Sequence, residues 1–285
     1  QSSSTPTILN NDIEFSPDGT YVYGMEQQST DIIYRTPLST PWDISTGGAI
    51  TAVSFAGVED ATTGFVFSRD GTKFFTVGGA HVANGGVESV AEFTMDTPWV
   101  LNPGVNYVDS FGVQTQETLP QALAFSRDGF KFYITGANSD AVHQYEMTTA
   151  WDISTATFID SASVLAATGE PYGLTFDETG TRMFINNAST VYEFELAVAW
   201  DSSTLSYTGV SRSVSGQSTN MEDVEFSDDG SKMYMVSGGI SFTDYFYEYD
   251  LSDPNAEFTL SGSMTGSNAF NDLTVLGKAT FSDNA

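Results

Sequence analysis

The feature that most constrains the fold of this chain is a pattern that occurs five times in its 285 residues. Each copy has an apolar run, a turn that reads Phe-Ser-x-Asp-Gly or a close variant, and a second apolar run rich in aromatic residues. The turn glycines of the copies are Gly19, Gly71, Gly129, Gly180 and Gly230. They lie 52, 58, 51 and 50 residues apart. A period of this size that holds several short strands predicts a β-propeller.

A tryptophan phrase marks the second half of each repeat. The phrase Pro-Trp-Asp-Ile-Ser-Thr around Trp42 recurs in similar form around Trp99, Trp151 and Trp200, whereas the fifth copy has Asn255 at that position. Apolar residues four and six positions before the tryptophan lie on one face of a strand, and Asp-Gly suits the tight turn of a hairpin. With strands before the turn, after it and after the tryptophan, the sequence predicts an all-β fold, a five-bladed β-propeller with four-stranded antiparallel blades.

The predicted organisation is an N-terminal extension over residues 1–10, a propeller over 11–266 and a strand-like tail over 267–285. The predicted repeats span about 11–57, 62–113, 120–164, 171–214 and 221–266. The tail is surplus to five blades, and its segment 271–275 resembles the start of the first repeat. A spare strand either pairs with a sheet edge of another chain or packs against its own ring. The sequence leaves both alternatives open.

The net charge of −28 excludes several classes of partner. Nucleic acids and anionic membranes both attract cationic proteins, so we predict no nucleic-acid binding. No apolar run is long enough to cross a bilayer, so we also predict no membrane insertion. The chain has no cysteine and therefore no disulfide framework. Many carboxylates and few lysines suit a salty or calcium-rich exterior, and a solvated surface is the simpler interpretation.

The repeat resembles one known family. The combination F-S-x-D-G-T-K, V-x-E-Y-x-L and (P/A)-W-D-I-S-T is similar to a β-propeller repeat of predicted secreted, surface or virion-associated proteins of aquatic bacteria and their phages. The resemblance covers roughly residues 11–266. It implies the propeller fold and an extracellular, cell-surface or virion location. It implies no catalytic residue, because one repeat scaffold hosts many activities.

The loops that lead into the innermost strands surround one mouth of the central channel, where we predict the ligand site. Asp12 and Asp223 begin the innermost strands of blades 1 and 5, which are neighbours in a closed ring. Glu222 stands beside Asp223, and Glu170 precedes the innermost strand of blade 4 in a similar way. Two adjacent carboxylates bind a divalent cation such as calcium, or raise each other's pKa for acid–base chemistry. A third interpretation is that they accept hydrogen bonds from backbone amides at the rim.

Other candidate residues carry weaker signals. Phe242 and Tyr245 lie in an aromatic loop of blade 5 on the same face and suit glycan contacts, with loop packing as the alternative. The four tryptophans are interpreted as packing residues at the opposite face. The two histidines, His81 and His143, belong to no nucleophile–base pattern in the sequence, and we interpret both as structural.

These features predict a non-enzymatic structural or adhesive propeller, extracellular or virion-associated. We expect it to assemble with copies of itself or with other surface or virion proteins through its termini, and to bind glycans, with calcium as the candidate cofactor at Asp12 and Asp223. The alternative is a glycan-active, glycosidase-like enzyme that uses the carboxylates at the channel mouth. The non-enzymatic prediction is preferred because blades 2 and 3 have Gly64 and Ala122 where a third carboxylate would stand.

Overall fold

The computed structural model describes residues 10–26, 32–54, 61–81, 86–101, 104–238, 245–251, 258–259 and 278–279. Five small antiparallel sheets surround one axis as the blades of a propeller, and the helical elements among those residues are single 3-10 turns. The predicted five-bladed β-propeller is therefore confirmed. Over the same residues, no helix is long and apolar enough to cross a membrane.

Blades 1 to 4 each contain four strands in sequence order from the channel outward. Blade 1 consists of β1 (Asn10–Phe15), β2 (Tyr21–Glu26), β3 (Ile32–Pro37) and β4 (Thr51–Ser54). Blade 2 consists of β5 (Thr62–Phe67), β6 (Lys73–His81), β7 (Val87–Met95) and β8 (Val105–Gly112). Blade 3 consists of β9 (Pro120–Phe125), β10 (Lys131–Gly136), β11 (Ala141–Met147) and β12 (Ala156–Ser163). Blade 4 consists of β13 (Gly173–Phe176), β14 (Arg182–Asn187), β15 (Thr190–Leu196) and β16 (Leu205–Ser213).

Blade 5 has three described strands, β17 (Met221–Phe226), β18 (Lys232–Ser237) and β19 (Tyr245–Asp250). A separate antiparallel pair joins β20 (Phe258–Thr259) to β21 (Lys278–Ala279) within the chain. The strand β21 therefore attaches two residues of the predicted tail to the same molecule. The rest of the tail, including the segment 271–275, lies outside the described residues.

The hydrophobic core lies between adjacent blades. On β6, the buried ring of Phe74 packs in a cluster with Tyr23 of blade 1, whereas the next residue, Phe75, packs in a cluster with Phe125 of blade 3. Consecutive residues of a strand point to opposite faces, so both faces of blade 2 are covered. Apolar residues at successive positions of the second strand, which the sequence shows in every repeat, are the signature of this stacking.

The junction between blades 5 and 1 shows how the ring closes. Trp42 has a φ of 61°, and its carbonyl accepts hydrogen bonds from Lys232 Nζ at 2.7 Å and from Tyr234 Oη at 2.5 Å. Glu248 accepts from Lys232 at 2.5 Å and from the Ile44 N–H at 3.2 Å. Equivalent donors reach the tryptophan carbonyl at the other described junctions, from Tyr23 and Arg35 to Trp99, from Lys73 to Trp151, and from Lys131 and Tyr133 to Trp200.

Two turn glycines offer a direct test of the tryptophan packing. Gly129 has a φ of 74°, and a Cβ added there would lie 2.2 Å from the ring of Trp151. Gly230 has a φ of 66°, but no described atom lies within 4 Å of the same position. We expect Gly129→Ala to lower the free energy of unfolding by about 2–4 kcal/mol and Gly230→Ala by about 1 kcal/mol. Urea denaturation measures both, and equal losses would contradict the packing role.

Candidate functional site

A cavity lies at the face of the propeller that carries the turns between the first two strands of each blade. Its cavity volume is about 170 Å³, and it is open to solvent on one side. Its lining includes one tryptophan from each of blades 1 to 4, which are Trp42, Trp99, Trp151 and Trp200. These rings are supported by aromatic residues of the inner strands, as where Trp151 stacks on Phe125 with ring centroids 5.0 Å apart. The cavity therefore has aromatic walls that a small organic ligand can contact.

Charged side chains from four neighbouring blades, 2 to 5, meet across the mouth of this cavity. Arg69 pairs with Glu178 at 3.4 Å and with Asp228 at 3.6 Å, and Arg127 also pairs with Glu178. The four side chains are 35% to 44% exposed. Ion pairs this exposed contribute little to stability, so they can part at small cost when a ligand passes.

Two carboxyl groups lie in the channel wall at the inner end of the cavity. Glu14 on β1 and Glu225 on β17 belong to neighbouring blades, and both line the cavity. Desolvation by burial, followed by the nearby charge of Asp223, raises the pKa of Glu225 to about 8. Desolvation, followed by the charge of Glu225, raises the pKa of Glu14 well above its ordinary value. The pair therefore keeps a proton at neutral pH and loses its protons in two coupled steps.

The structure brings Asp12 and Asp223 together one level further along the same strands. They are 6% and 8% exposed and share a hydrogen bond. Asp12 Oδ2 accepts from the Phe65 N–H at 2.7 Å, and Asp223 Oδ2 accepts from the Ile13 N–H at 3.2 Å. Burial is the largest cause that raises the pKa of each carboxyl group well above its ordinary value. The two side chains thus tie inner strands of adjacent blades together through backbone amides.

The acidic residues predicted near this pair are not gathered around it. Glu170 is exposed, with a φ of 54°, and its N–H donates to Asp140 at 2.8 Å. Glu222 is half-buried and accepts from the Asn220 side-chain amide at 2.8 Å. Burial raises the pKa of Glu222. Neither residue lines the cavity described above.

The aromatic and metal-binding candidates are placed as follows. Tyr245 is half-buried at the start of β19, with its ring centroid 6.0 Å from that of Tyr247. Phe242 lies outside the described residues. Within the part of the chain that is described, no three His, Cys, Asp or Glu residues are grouped so that they could hold a metal ion. The candidate calcium pair Asp12 and Asp223 therefore has no third such ligand there.

The cavity lies at the opposite end of the channel from the ligand site that the sequence predicts. At the level of Asp12 and Asp223 the inner strands approach closely, because blades 2 and 4 contribute glycines. A Cβ at Gly173 would lie 2.8 Å from Asp223 Cα, and a Cβ at Gly64 would lie 3.0 Å from a backbone oxygen of blade 3. Glu14 and Glu225 come two residues later on the same strands. The two-residue period of a strand places them on the same face as the predicted pair, which is the signal that could have found them.

Comparison with known proteins supports the fold. No protein-family model and no curated protein matches the chain. A functionally unknown protein from Desulfotomaculum acetoxidans is 9% identical, with a TM-score of 0.50 over 99% of this chain and 72% of that one. A putative 6-phosphogluconolactonase from Bacteroides uniformis is 15% identical, with a TM-score of 0.51 over 99% and 74%. A chain of a nidogen/laminin complex is 15% identical, with a TM-score of 0.50 over 86% and 77%.

These likenesses correct the prediction that the chain is not an enzyme. The propeller fold of this chain is shared by the Bacteroides uniformis protein, which is described as a putative 6-phosphogluconolactonase. The fold therefore does not support the non-enzymatic prediction. The level where the sequence lacks a third carboxylate also proves to be a closed part of the channel, as Gly173 shows. Counting carboxylates at that level therefore does not decide for or against catalysis.

Proposed function

We propose that the chain is a glycan-active hydrolase whose active site is the cavity at the turn face, with Glu14 and Glu225 as its acid–base pair. The observation that carries the proposal is the position of two carboxyl groups with raised pKa values at the inner end of an aromatic-walled cavity. Strongly perturbed carboxyl groups in a cleft are typical of catalytic sites.

The chemistry follows from the coupled titration of the pair. Hydrolysis of a glycosidic bond uses one protonated carboxyl group, which donates to the leaving oxygen, and one ionised carboxylate, which activates water or attacks the sugar. Glu14 and Glu225 supply both when the pair holds a single proton. Burial and neighbouring carboxylates raise both pKa values, so the pair still holds a proton at neutral pH, where ordinary glutamates would both be ionised.

The walls of the cavity support a sugar as the substrate. Tryptophan rings offer apolar faces to the C–H side of a sugar, and the acids offer acceptors to its hydroxyl groups. A sugar lactone would use the same pair, with the ionised carboxylate activating water at the acyl carbon. The description of the Bacteroides uniformis protein makes lactones a reasonable part of the substrate panel, although the likeness itself concerns only the fold.

The proposal is tested by screening the full chain against aryl glycosides, algal and bacterial polysaccharides, and sugar lactones including 6-phosphogluconolactone. We expect turnover on at least one glycan or glycoside. Glu14→Gln and Glu225→Gln are each expected to lower kcat by about 100-fold or more, because general acid–base catalysis contributes roughly 10²–10⁴-fold.

The matched control is Glu195→Gln, which removes an exposed carboxylate of β15 far along the sequence from both acids. It should leave kcat unchanged. Turnover of lactones alone would correct the substrate class and keep the site. Absence of turnover across the panel, or turnover that survives both Glu14→Gln and Glu225→Gln, would overturn the proposal.

A further inference from the structure

A second group of reactive side chains lies on the outer half of blade 3, away from the channel. His143 on β11 is buried, at 3% exposure, and each of its ring nitrogens is hydrogen-bonded to a serine. Nε2 lies 2.8 Å from Ser139 Oγ, and Nδ1 lies 2.7 Å from Ser161 Oγ. Ser139 Oγ also lies 2.6 Å from Oε2 of Glu117. The four side chains form one continuous row, Glu117–Ser139–His143–Ser161.

The direction of each hydrogen bond in this row follows from the carboxylate at its buried end. Glu117 is 1% exposed and accepts from the Leu119 N–H at 2.7 Å and from the Ser139 N–H at 3.0 Å. The single hydroxyl proton of Ser139 is donated to Glu117, so Ser139 Oγ accepts from Nε2–H of His143. Nδ1 of the neutral imidazole then carries a lone pair and accepts the hydroxyl proton of Ser161.

This arrangement is that of a nucleophile, a base and an orienting group. Ser161 lies on the outermost strand β12 and is exposed, whereas His143 and Glu117 are buried. Burial lowers the pKa of His143, although the charge of Glu117 opposes the change. Ile134 and Ser161, which lie opposite His143 on the two flanking strands, carry no charge. The imidazole therefore remains a neutral base at neutral pH, in contact with a hydroxyl that solvent can reach.

The other blades show that the row is particular to blade 3. Ser110 of blade 2 and Ser211 of blade 4 occupy the strand position that Ser161 has in blade 3. The residues opposite them on the third strand are Ala91 and Tyr192, where blade 3 has His143. The serine thus recurs with the repeat, whereas the base and its orienting carboxylate occur beside Ser161 and not beside Ser211.

We infer that Ser161 is the nucleophile of a second reactive site, independent of the channel, which accepts acyl groups from small, accessible esters with His143 as general base. The contacts of His143 with Ser161 and Ser139 are the observations that carry this inference, and the sequence-based interpretation of His143 as structural is its alternative. Ser139 and Glu117 are positioning residues, which act through the imidazole. Ser161 is exposed on the outermost strand, so the alcohol part of the ester can belong to a large molecule such as an acylated polysaccharide.

The step balances as an ordinary acyl transfer. Ser161 Oγ forms a bond to the acyl carbon, its proton moves to His143 Nδ1, and the bond between the acyl carbon and the alcohol oxygen breaks as that proton passes to the alcohol. Water then attacks the acyl carbon, and His143 Nδ1 takes a proton from the water. The bond between the acyl carbon and Ser161 Oγ breaks as His143 returns the proton to Oγ, and the carboxylic acid leaves. No oxidant, metal or cofactor enters either step.

A fluorophosphonate probe tests the inference on the full chain. Attack by Ser161 forms an O–P bond and releases fluoride, and the adduct is located by peptide mass spectrometry. We expect one adduct, on Ser161. We expect its rate of formation to rise with pH and level off below the ordinary pKa range of histidine, because burial lowers the pKa of His143. p-Nitrophenyl acetate should show release of p-nitrophenol that is lost in Ser161→Ala.

Four variants separate a reactive row from a structural one. His143→Gln keeps the ring's polar contacts without a base and should slow labelling by about 100-fold or more, and Ser139→Ala should slow it by about 10-fold through loss of orientation. Ser211→Ala, the matched control, and Glu195→Gln should label at the rate of the unchanged chain. Circular dichroism confirms folding of each. No adduct on Ser161, equal labelling of Ser211, or unchanged rates in both His143→Gln and Ser139→Ala would overturn the inference.

Discussion

Glu225→Gln is expected to stabilise the fold at pH 8 by an amount on the order of 3 kcal/mol. The pKa of Glu225 is raised from an ordinary value of 4.5 to about 8 in the folded chain. A carboxyl group with a raised pKa contributes stability that is fully present below the unfolded pKa and is lost as the pH rises through the folded pKa. The unchanged chain should therefore lose stability between about pH 4.5 and pH 8, and the glutamine variant should lose less.

Urea denaturation at pH 5 and at pH 8 measures this effect. The difference between the two free energies of unfolding should shrink in Glu225→Gln and remain as in the unchanged chain in Glu195→Gln, whose carboxylate is exposed. Most substitutions of buried groups destabilise a fold. A higher free energy of unfolding at pH 8 would therefore indicate that the folded chain disfavours the charged form of the Glu225 carboxyl group. Equal pH dependence in all three chains would mean that Glu225 is not held in a state that disfavours its charge.

Lys73→Met is expected to lower the free energy of unfolding by about 3–5 kcal/mol, because it leaves a buried carboxylate without its cation. Lys73 Nζ donates to Glu92 at 2.6 Å and to the Trp151 carbonyl at 2.7 Å. The side chain of Glu92 is 3% exposed, so water cannot replace the lost partner. The same side chain accepts from the Ile153 N–H of blade 3 at 3.1 Å, so the loss falls on the junction between two blades.

The equivalent position of blade 3 suggests a substitution that should compensate for the loss of the Lys73 charge. Gln144 stands where blade 2 has Glu92, and its side-chain oxygen accepts from the Ser202 N–H at 2.8 Å, so a neutral amide can hold this junction. Glu92→Gln in the Lys73→Met background should recover at least half of the lost stability. A double-mutant cycle measured by urea denaturation gives the coupling. Additive losses from the two substitutions would contradict an interaction between the charges.

The fold was predictable because its determinants are local and repeated. The Asp-Gly turn, the consecutive apolar residues of the second strand and the tryptophan phrase recur at nearly constant spacing. Ring closure between blades 5 and 1 follows from the repeat count, since that junction uses the same contact with a tryptophan carbonyl as the junction between blades 3 and 4. The sequence does not show why the tryptophan recurs at this spacing. The reason is the close contact of the Trp151 ring with Gly129, which depends on interatomic distances.

The candidate site was only half predictable. Placing Asp12 beside Asp223 needs only the turn glycines and a closed ring. Which end of the channel is open depends on how closely the inner strands approach one another. Glycines such as Gly173 permit a close approach, but the sequence does not show where the strands approach.

The row on blade 3 depends on a β-bulge. The register of β11 against β12 shifts between Gln144 and Tyr145, so that His143 faces Ser161. Without that extra residue it would face Asp160, because Tyr145 is opposite Phe158. The sequence does not show a register shift of one residue, so it cannot place His143 opposite Ser161.

The central claim is that Glu14 and Glu225 form a proton-sharing pair, and a carbon-13 NMR titration of their carboxyl carbons tests it most directly. Labelled glutamate, with assignment by Glu14→Gln and Glu225→Gln, gives the apparent pKa values of the pair. We predict that the pair titrates in two steps, both above the ordinary glutamate value of 4.5, with one midpoint near 8. Titration of both Glu14 and Glu225 near the ordinary value of 4.5 would contradict the account.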